Sequence, residues 1–162
     1  MLTHYSKNDG FTLMEVLVAV VVLSIGLLGL ANLQTVGMKS NNSAYLRTQA
    51  TLLAYDIADR MRANIAGVTA NAYNAISTKP SDPGCIASDC SPGNLAVSDA
   101  FQWYENLSAA LPSGTGTVTG AGHGSVFTIT VMWDEARTGA TGTGCSADES
   151  VDLKCFVMRT QL

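Results

Sequence analysis

The sequence predicts an α+β protein. It places a long N-terminal α-helix, half of membrane character and half amphipathic, on a C-terminal antiparallel β-sheet with a second helix. Three observations carry this. Val16 to Met38 is a run of 23 residues without a charge, longer than the ~20 residues that span a hydrocarbon core as a helix. From Leu46 to Met61 apolar residues recur every three or four positions, the pattern of a helix with one buried face. Beyond Asn64 the chain turns to Gly, Ser, Thr, Asn and Asp, and alternating apolar stretches between glycine-rich turns read as strands.

The first element follows a polar leader, MLTHYSKNDG, that ends in Gly10. A secretory signal has a basic start, a shorter apolar core and a small-residue cleavage site. This apolar run is too long and lacks that site. Lys7 precedes the run, while Lys39 and Arg47 follow it, so charge bias says almost nothing about orientation. One acid, Glu15, stands near the start of the run. The helix should continue through Leu46, Ala50, Leu53, Ala54, Ile57, Ala58 and Met61 as a single apolar stripe. Arg47, Gln49, Asp56, Asp59, Arg60 and Arg62 take the other face. Asp56 and Arg60 stand i,i+4 in the favourable order. No proline occurs before Pro80. From Phe11 to Asn64 such a helix is roughly 80 Å long at ~1.5 Å per residue. Gly26, Gly29 and Gly37 weaken it by ~1 kcal/mol each, or permit close helix packing in a membrane.

Gly67 to Pro92 reads as a loop, with strong turn signals in KPSDPG at 79–84. Asn94 to Leu111 reads as the second helix, stopped by Pro112. Its apolar face is Val97, Ala100, Phe101, Tyr104, Leu107 and Leu111, with Trp103 beside it and packing on the sheet. GTGTVTGAGHG at 114–124 has neither the spacing nor the lysine of a phosphate loop. It reads as a short strand at 116–119 leading into a hairpin. In Ser125 to Asp134, Val126, Thr128, Thr130 and Met132 oppose Phe127, Ile129, Val131 and Trp133, a strand with one buried face. After TGATGTG at 138–144 the last strand covers Val151 to Thr160, with Leu153, Cys155, Val157 and Arg159 on one side. The sheet has three or four strands.

Four cysteines, Cys85, Cys90, Cys145 and Cys155, all lie in the polar part. Placed beyond a membrane-length helix, they point to disulfides in an oxidising compartment. The spacings C-x4-C and C-x9-C fit zinc poorly, and His4 and His123 are not placed as ligands. Of three connectivities, the local choice is Cys85–Cys90 with Cys145–Cys155, each loop worth about 2–3 kcal/mol in the chain-entropy model. Asp148, Glu149 and Asp152 lie between the last two cysteines without calcium-loop spacing and read as a solvated acidic loop. Net charge is −4. After Asn64 four basic residues face nine acidic ones, a balance that disfavours nucleic acid as a partner. No nucleophile–base–acid set is visible, and Asp134 and Glu135 point to opposite faces of their strand. The chain reads as a non-catalytic structural protein, with no cofactor and no metal.

Gly10-Phe11-Thr12-Leu13-Met14-Glu15, with its apolar run behind, resembles the prepilin signal of type IV pilins and type II secretion pseudopilins. Gly26-Leu27-Leu28-Gly29-Leu30-Ala31 with Leu33-Gln34, then Asp59-Arg60-Met61-Arg62-Ala63-Asn64, is similar to the minor pilins of that family. The resemblance is close over residues 1–75 and looser afterwards. It implies a pilin-like fold. It divides the chain into a leader at 1–10, a transmembrane and fibre-core helix half at 11–40, an amphipathic half at 41–64, and a globular domain at 65–162. It implies cleavage by prepilin peptidase between Gly10 and Phe11, N-methylation of Phe11, and a charge pair between Glu15 of one subunit and the Phe11 amine of the next. The implied partners are the peptidase, other minor pilins, the major pilin, the inner-membrane assembly machinery, and the lipid bilayer before assembly. The implied location is the bacterial inner membrane, with the C-terminal domain periplasmic, and then the fibre at the cell surface. A type II secretion minor pseudopilin of the I type and a pilus-borne adhesion or receptor subunit are the alternative roles. Many major pilins have a proline in the membrane half of the helix, where this chain has Asn32, so any melting on assembly would have to come from the glycines.

Overall fold

The computed structural model of the chain describes residues 11–162. The leader and Gly10 lie outside the described residues. The first helix, α1, spans Leu13–Ala63. The chain divides into two compact units, one ending at Asn42 and the other running from Ser43 to Leu162. In the first unit every described residue is exposed. Its helix is held by its own backbone hydrogen bonds. Two of its hydroxyls bond back one turn, Ser24 Oγ to the Val20 carbonyl at 2.7 Å and Thr35 Oγ1 to the Ala31 carbonyl at 3.0 Å. These two hydroxyls thus find partners without water.

The second unit has its own core. The stripe of α1 from Leu46 to Met61 is buried, with Ala50, Ala54, Ile57, Ala58 and Met61 fully so. The chain then forms α2 (Ile65–Thr69), β1 (Ala75–Ile76), α3 (Pro92–Ala110), β2 (Thr115–Thr119), β3 (Val126–Trp133) and β4 (Lys154–Gln161). The strands make one antiparallel sheet in the order β1-β2-β3-β4. Alternation along β3 holds: Phe127, Ile129, Val131 and Trp133 are buried in the same cluster as the α1 stripe. Fully burying side chains of this size is worth ~1.5–3 kcal/mol each. The opposite face of β3 ends in Met132, which makes a small second cluster with Ala140 and Leu153.

Three expectations need correcting. The segment 67–92 is not all loop, because α2 and β1 lie at its start. Five and two residues are too short for periodicity to reveal. The buried face of α3 is rotated from the expected one. Ala96, Ala100, Trp103, Tyr104 and Leu107 are buried, whereas Val97 is exposed and Phe101 is half-covered, with Lys79 Nζ 4.8 Å from its ring centre. Trp103 turns the face inward because its indole N–H donates to the Leu53 carbonyl of α1 at 2.9 Å. The apolar stripe of α1 is also not single. Tyr45, Leu52 and Tyr55 are each more than half exposed on the side away from the core. On β4 the residues that join the core are Phe156 and Met158, while Val157 and Arg159 face out.

Glycine decides one close approach. A Cβ on Gly116 of β2 would stand 2.5 Å from Trp103 Cη2. Only a glycine lets the strand pass this close to the ring. The Tyr104 hydroxyl donates to the Gly116 carbonyl at the same place, and burial raises the Tyr104 pKa.

Candidate functional site

The N-terminal turn of α1 brings together three of the residues singled out by sequence. Phe11 and Glu15 are both exposed. Thr12 caps the helix: its Oγ1 accepts the Glu15 N–H at 3.2 Å, and its carbonyl accepts the same N–H at 3.1 Å. Thr-x-x-Glu is the capping-box pattern, with the acid at the third helical position. That signal is in the sequence, and reading Glu15 as a membrane acid alone passes over it. An acid in the first turn also complements the helix dipole. Glu15 is therefore positioned by its own turn, and no group among the described residues bonds its carboxylate. Phe11, Glu15, Val16, Ala19, Val20 and Leu23 line a shallow, largely apolar groove along this part of the helix.

Asp59 to Asn64 forms the junction between α1 and the rest of the second unit. Arg60 Nε bonds Asp56 at 3.1 Å, and its NH1 reaches Asp99 at 3.4 Å and Gln102 at 2.9 Å. Arg62 bonds Asp59 at 2.7 Å and Thr160 of β4 at 2.8 Å. Asn64 caps α2 by accepting the Gly67 N–H at 3.1 Å, and donates to Tyr73 Oη and to the Pro92 carbonyl. Tyr73 Oη in turn donates to the buried Asp99 at 2.5 Å. Burial first, and then the Asp99 hydrogen bond, raise the Tyr73 pKa far above the usual phenol value. Apart from the exposed Ala63, each side chain of this run has a structural partner, with Met61 in the core.

Cys85 is bonded to Cys90, and Cys145 to Cys155, each with Cα atoms 5.5 Å apart. The acids between the last two cysteines hold their own loop. Asp152 accepts the N–H groups of Gly144 at 3.2 Å and Ser146 at 3.0 Å. Asp148 accepts both the hydroxyl and the N–H of Ser150. Hydrogen bonding from Ser150 lowers the Asp148 pKa, and hydrogen bonding from Ser146 lowers that of Asp152. Asp134 is buried and accepts from Thr138 and Gly139 at the start of the same loop. Among the described residues no group of three or more His, Cys, Asp or Glu is placed to hold a metal. His123 is exposed in the turn between β2 and β3.

A capped apolar helix with an acid in its first turn, joined to a disulfide-bonded α+β domain, has the build of an anchored fibre subunit. Residues 5–31 match the prokaryotic N-terminal methylation motif. Residues 32–101 match the family described as type IV pilin Tt1218. No curated protein and no solved structure matches the chain. The two family matches adjoin and support a type IV pilin, a structural subunit of a pilus. The methylation motif implies processing by prepilin peptidase. With the apolar helix, it fits anchoring in the inner membrane and incorporation into the fibre.

Proposed function

We propose that the chain is a minor pilin of a type IV pilus, similar to the minor pilin PilV. It joins other minor pilins in a complex that primes assembly at the inner membrane, and it stands at the fibre tip. Residues 1–10 are the leader and 11–40 the membrane and fibre-core half of the helix. Residues 41–64 are the amphipathic half, and 65–162 the domain carried first on the periplasmic side. Prepilin peptidase cuts between Gly10 and Phe11, and the new Phe11 amine is methylated. The major pilin and the inner-membrane assembly machinery are the further partners. Nucleic acid is not among them, since the domain after Asn64 is acidic.

The observation that carries this reading is the methylation-motif match at residues 5–31, running directly into the pilin match. The uncovered apolar surface supports it. Phe11 to Asn42 is exposed throughout, and Tyr45, Leu52 and Tyr55 extend apolar surface along the outer side of α1 in the second unit. Surface of this kind needs lipid or neighbouring helices to cover it. An unpaired carboxylate in the membrane core costs ~2.5–3.5 kcal/mol on insertion scales. The Phe11 amine of a neighbour offsets that cost for Glu15 and rewards one register of helices over others.

Cleavage is the test. Mass spectrometry of the protein from sheared pili should show an N-methylated Phe11. Gly10→Val should leave an uncut chain in the membrane, because a pocket fitted to glycine has no room for a branched side chain. Met1 intact in assembled fibres would sink the reading. Recovery from a secretion complex and never from sheared pili would move the chain to the I-type pseudopilins.

A further inference from the structure

We infer that the second unit carries a preformed receptor for a carboxylate of an adjacent pilin subunit, built where the sheet runs out beneath α1. The inference rests on the fibre reading above. The core row of β3 ends at Trp133, and register places Lys154, the first residue of β4, directly opposite it. Opposed residues share a face of the sheet, so Trp133 and Lys154 stand side by side toward α1. There Ser43 and Arg47, one helical turn apart, complete the wall with Glu135 and Cys155 around a cavity of about 150 Å³.

The donors here exceed the acceptors. The Trp133 ring is buried, and its Nε1 is the buried side-chain polar atom left without a hydrogen-bond partner among the described residues. A buried donor without a partner costs about 1–3 kcal/mol, and such a group calls for an explanation. The Trp103 indole, in the same core, has found its carbonyl. The Arg47 guanidinium is exposed and makes no ion pair with any described carboxylate. Lys154 has one partner, Glu149 at 3.0 Å, and two further N–H donors. Glu135 is the one acid in the wall and Glu149 pairs with Lys154, so Arg47 is the cation of the wall without an ion-pair partner among the described residues. One indole N–H, one guanidinium and one ammonium around a small cavity match a carboxylate, which accepts about four hydrogen bonds and offers none. A guest that fills the cavity from a neighbouring chain would fix the rotation of that chain against this one.

The test uses the full-length chain in cells that make pili, with wild type as the reference for cleavage and fibre entry. Arg47→Gln removes the free charge. Trp133→Phe removes the N–H and keeps the ring. Both should be cleaved and reach wild-type membrane levels with both disulfides formed. Their ratio of fibre to membrane protein should fall, by roughly tenfold for Arg47→Gln, the scale of one lost charge-assisted hydrogen bond, and by a smaller factor for Trp133→Phe. A carbodiimide, which joins an amine to a carboxylate in contact with it, should link Lys154 to an Asp or Glu of another pilin in wild-type fibres, and mass spectrometry identifies that acid. Wild-type fibre entry of both variants, with Lys154 linked only to its own Glu149, would overturn the inference and leave the cavity to an ordinary water. If small carboxylates such as acetate at high concentration abolish the intermolecular link without lowering fibre entry, the cavity takes free anions and the subunit receptor falls. A wild-type chain that is uncut and missing from fibres is a different result, because it overturns the fibre reading itself.

Discussion

Glu15 and Tyr73 are polar side chains with opposite circumstances. Glu15 is exposed on an apolar helix, with only its backbone tied to Thr12. Its carboxylate has no partner among the described residues, so its value should lie in assembly and not in folding. Glu15→Leu should insert and be cleaved as wild type. Its recovery in sheared pili, measured against membrane levels, should fall by well over tenfold, because removing one partner of a buried ion pair costs about 3–5 kcal/mol. Glu15→Asp keeps the charge with a shorter reach and should fall between. Normal entry of Glu15→Leu would reduce the acid to its helix-capping position. Tyr73 is fully buried and spends its hydroxyl inside the domain, donating to Asp99 and accepting from Asn64. Its pKa is raised above 10.0 in the folded chain. Above about pH 10 the unfolded chain therefore loses this proton while the folded chain keeps it. The unfolded state then binds fewer protons, and stability falls as pH rises. The contribution is complete below pH 10 and is lost on the alkaline side. Tyr73→Phe should cost about 1–3 kcal/mol at neutral pH and flatten the alkaline decline. Denaturant melts of the full chain in detergent at pH 7 and pH 11 check both.

The loop from Thr138 to Leu153 is an element without regular structure that is held by short polar bonds and one covalent one. Asp134 fixes its start, Asp148 and Asp152 fold it on itself, and Cys145–Cys155 ties it to β4. Replacing both cysteines by serine should cost about 2–3 kcal/mol for a loop of this length. The loss should appear as a lower melting temperature and as earlier proteolysis within 138–153. The Asp148 and Asp152 pKa values are depressed from 3.8, so their contribution is present above that value and declines as pH falls through the folded-state values. Proteolysis of the loop should accelerate below about pH 4, and more so in the serine variant. What sequence revealed at this scale follows from length. The eight residues of β3 alternate long enough to show their buried face, and the α1 stripe repeats over four turns. α2 and β1 carry too few residues to show a period. The face of α3 was misplaced because Phe101 outranks Ala96 on hydrophobicity alone. In the folded chain a lysine covers Phe101, while the Trp103 N–H reaches a carbonyl fifty residues away in sequence. The same distance hid the Trp133 cavity, whose walls come from α1, the end of β3 and β4. The Thr12 cap was legible in Thr-x-x-Glu at the start of the apolar run.

The two units of the chain answer to different solvents. No described residue before Ser43 is buried, and every member of the main core cluster lies at Leu46 or beyond. Removing residues 1–42 therefore takes no described side chain out of the core and breaks neither disulfide. It does take away the uncharged run that demands lipid or neighbouring helices. A chain beginning at Ser43 should be soluble without detergent, hold both disulfides, and unfold in one cooperative transition. Domains of this size have a net stability of only about 5–15 kcal/mol, so a hidden contribution from the removed helix would be visible. The full chain in detergent supplies the comparison. Midpoints agreeing within a few degrees mean that the second unit is stabilised by its own core, and that the first acts only in the membrane and the fibre. A truncated chain that binds hydrophobic dyes and melts without a sharp transition would show that the first unit also holds the domain together. The exposed apolar residues before Ser43 would then have a role inside the monomer, and the argument that they await lipid and neighbouring subunits would lose its main support.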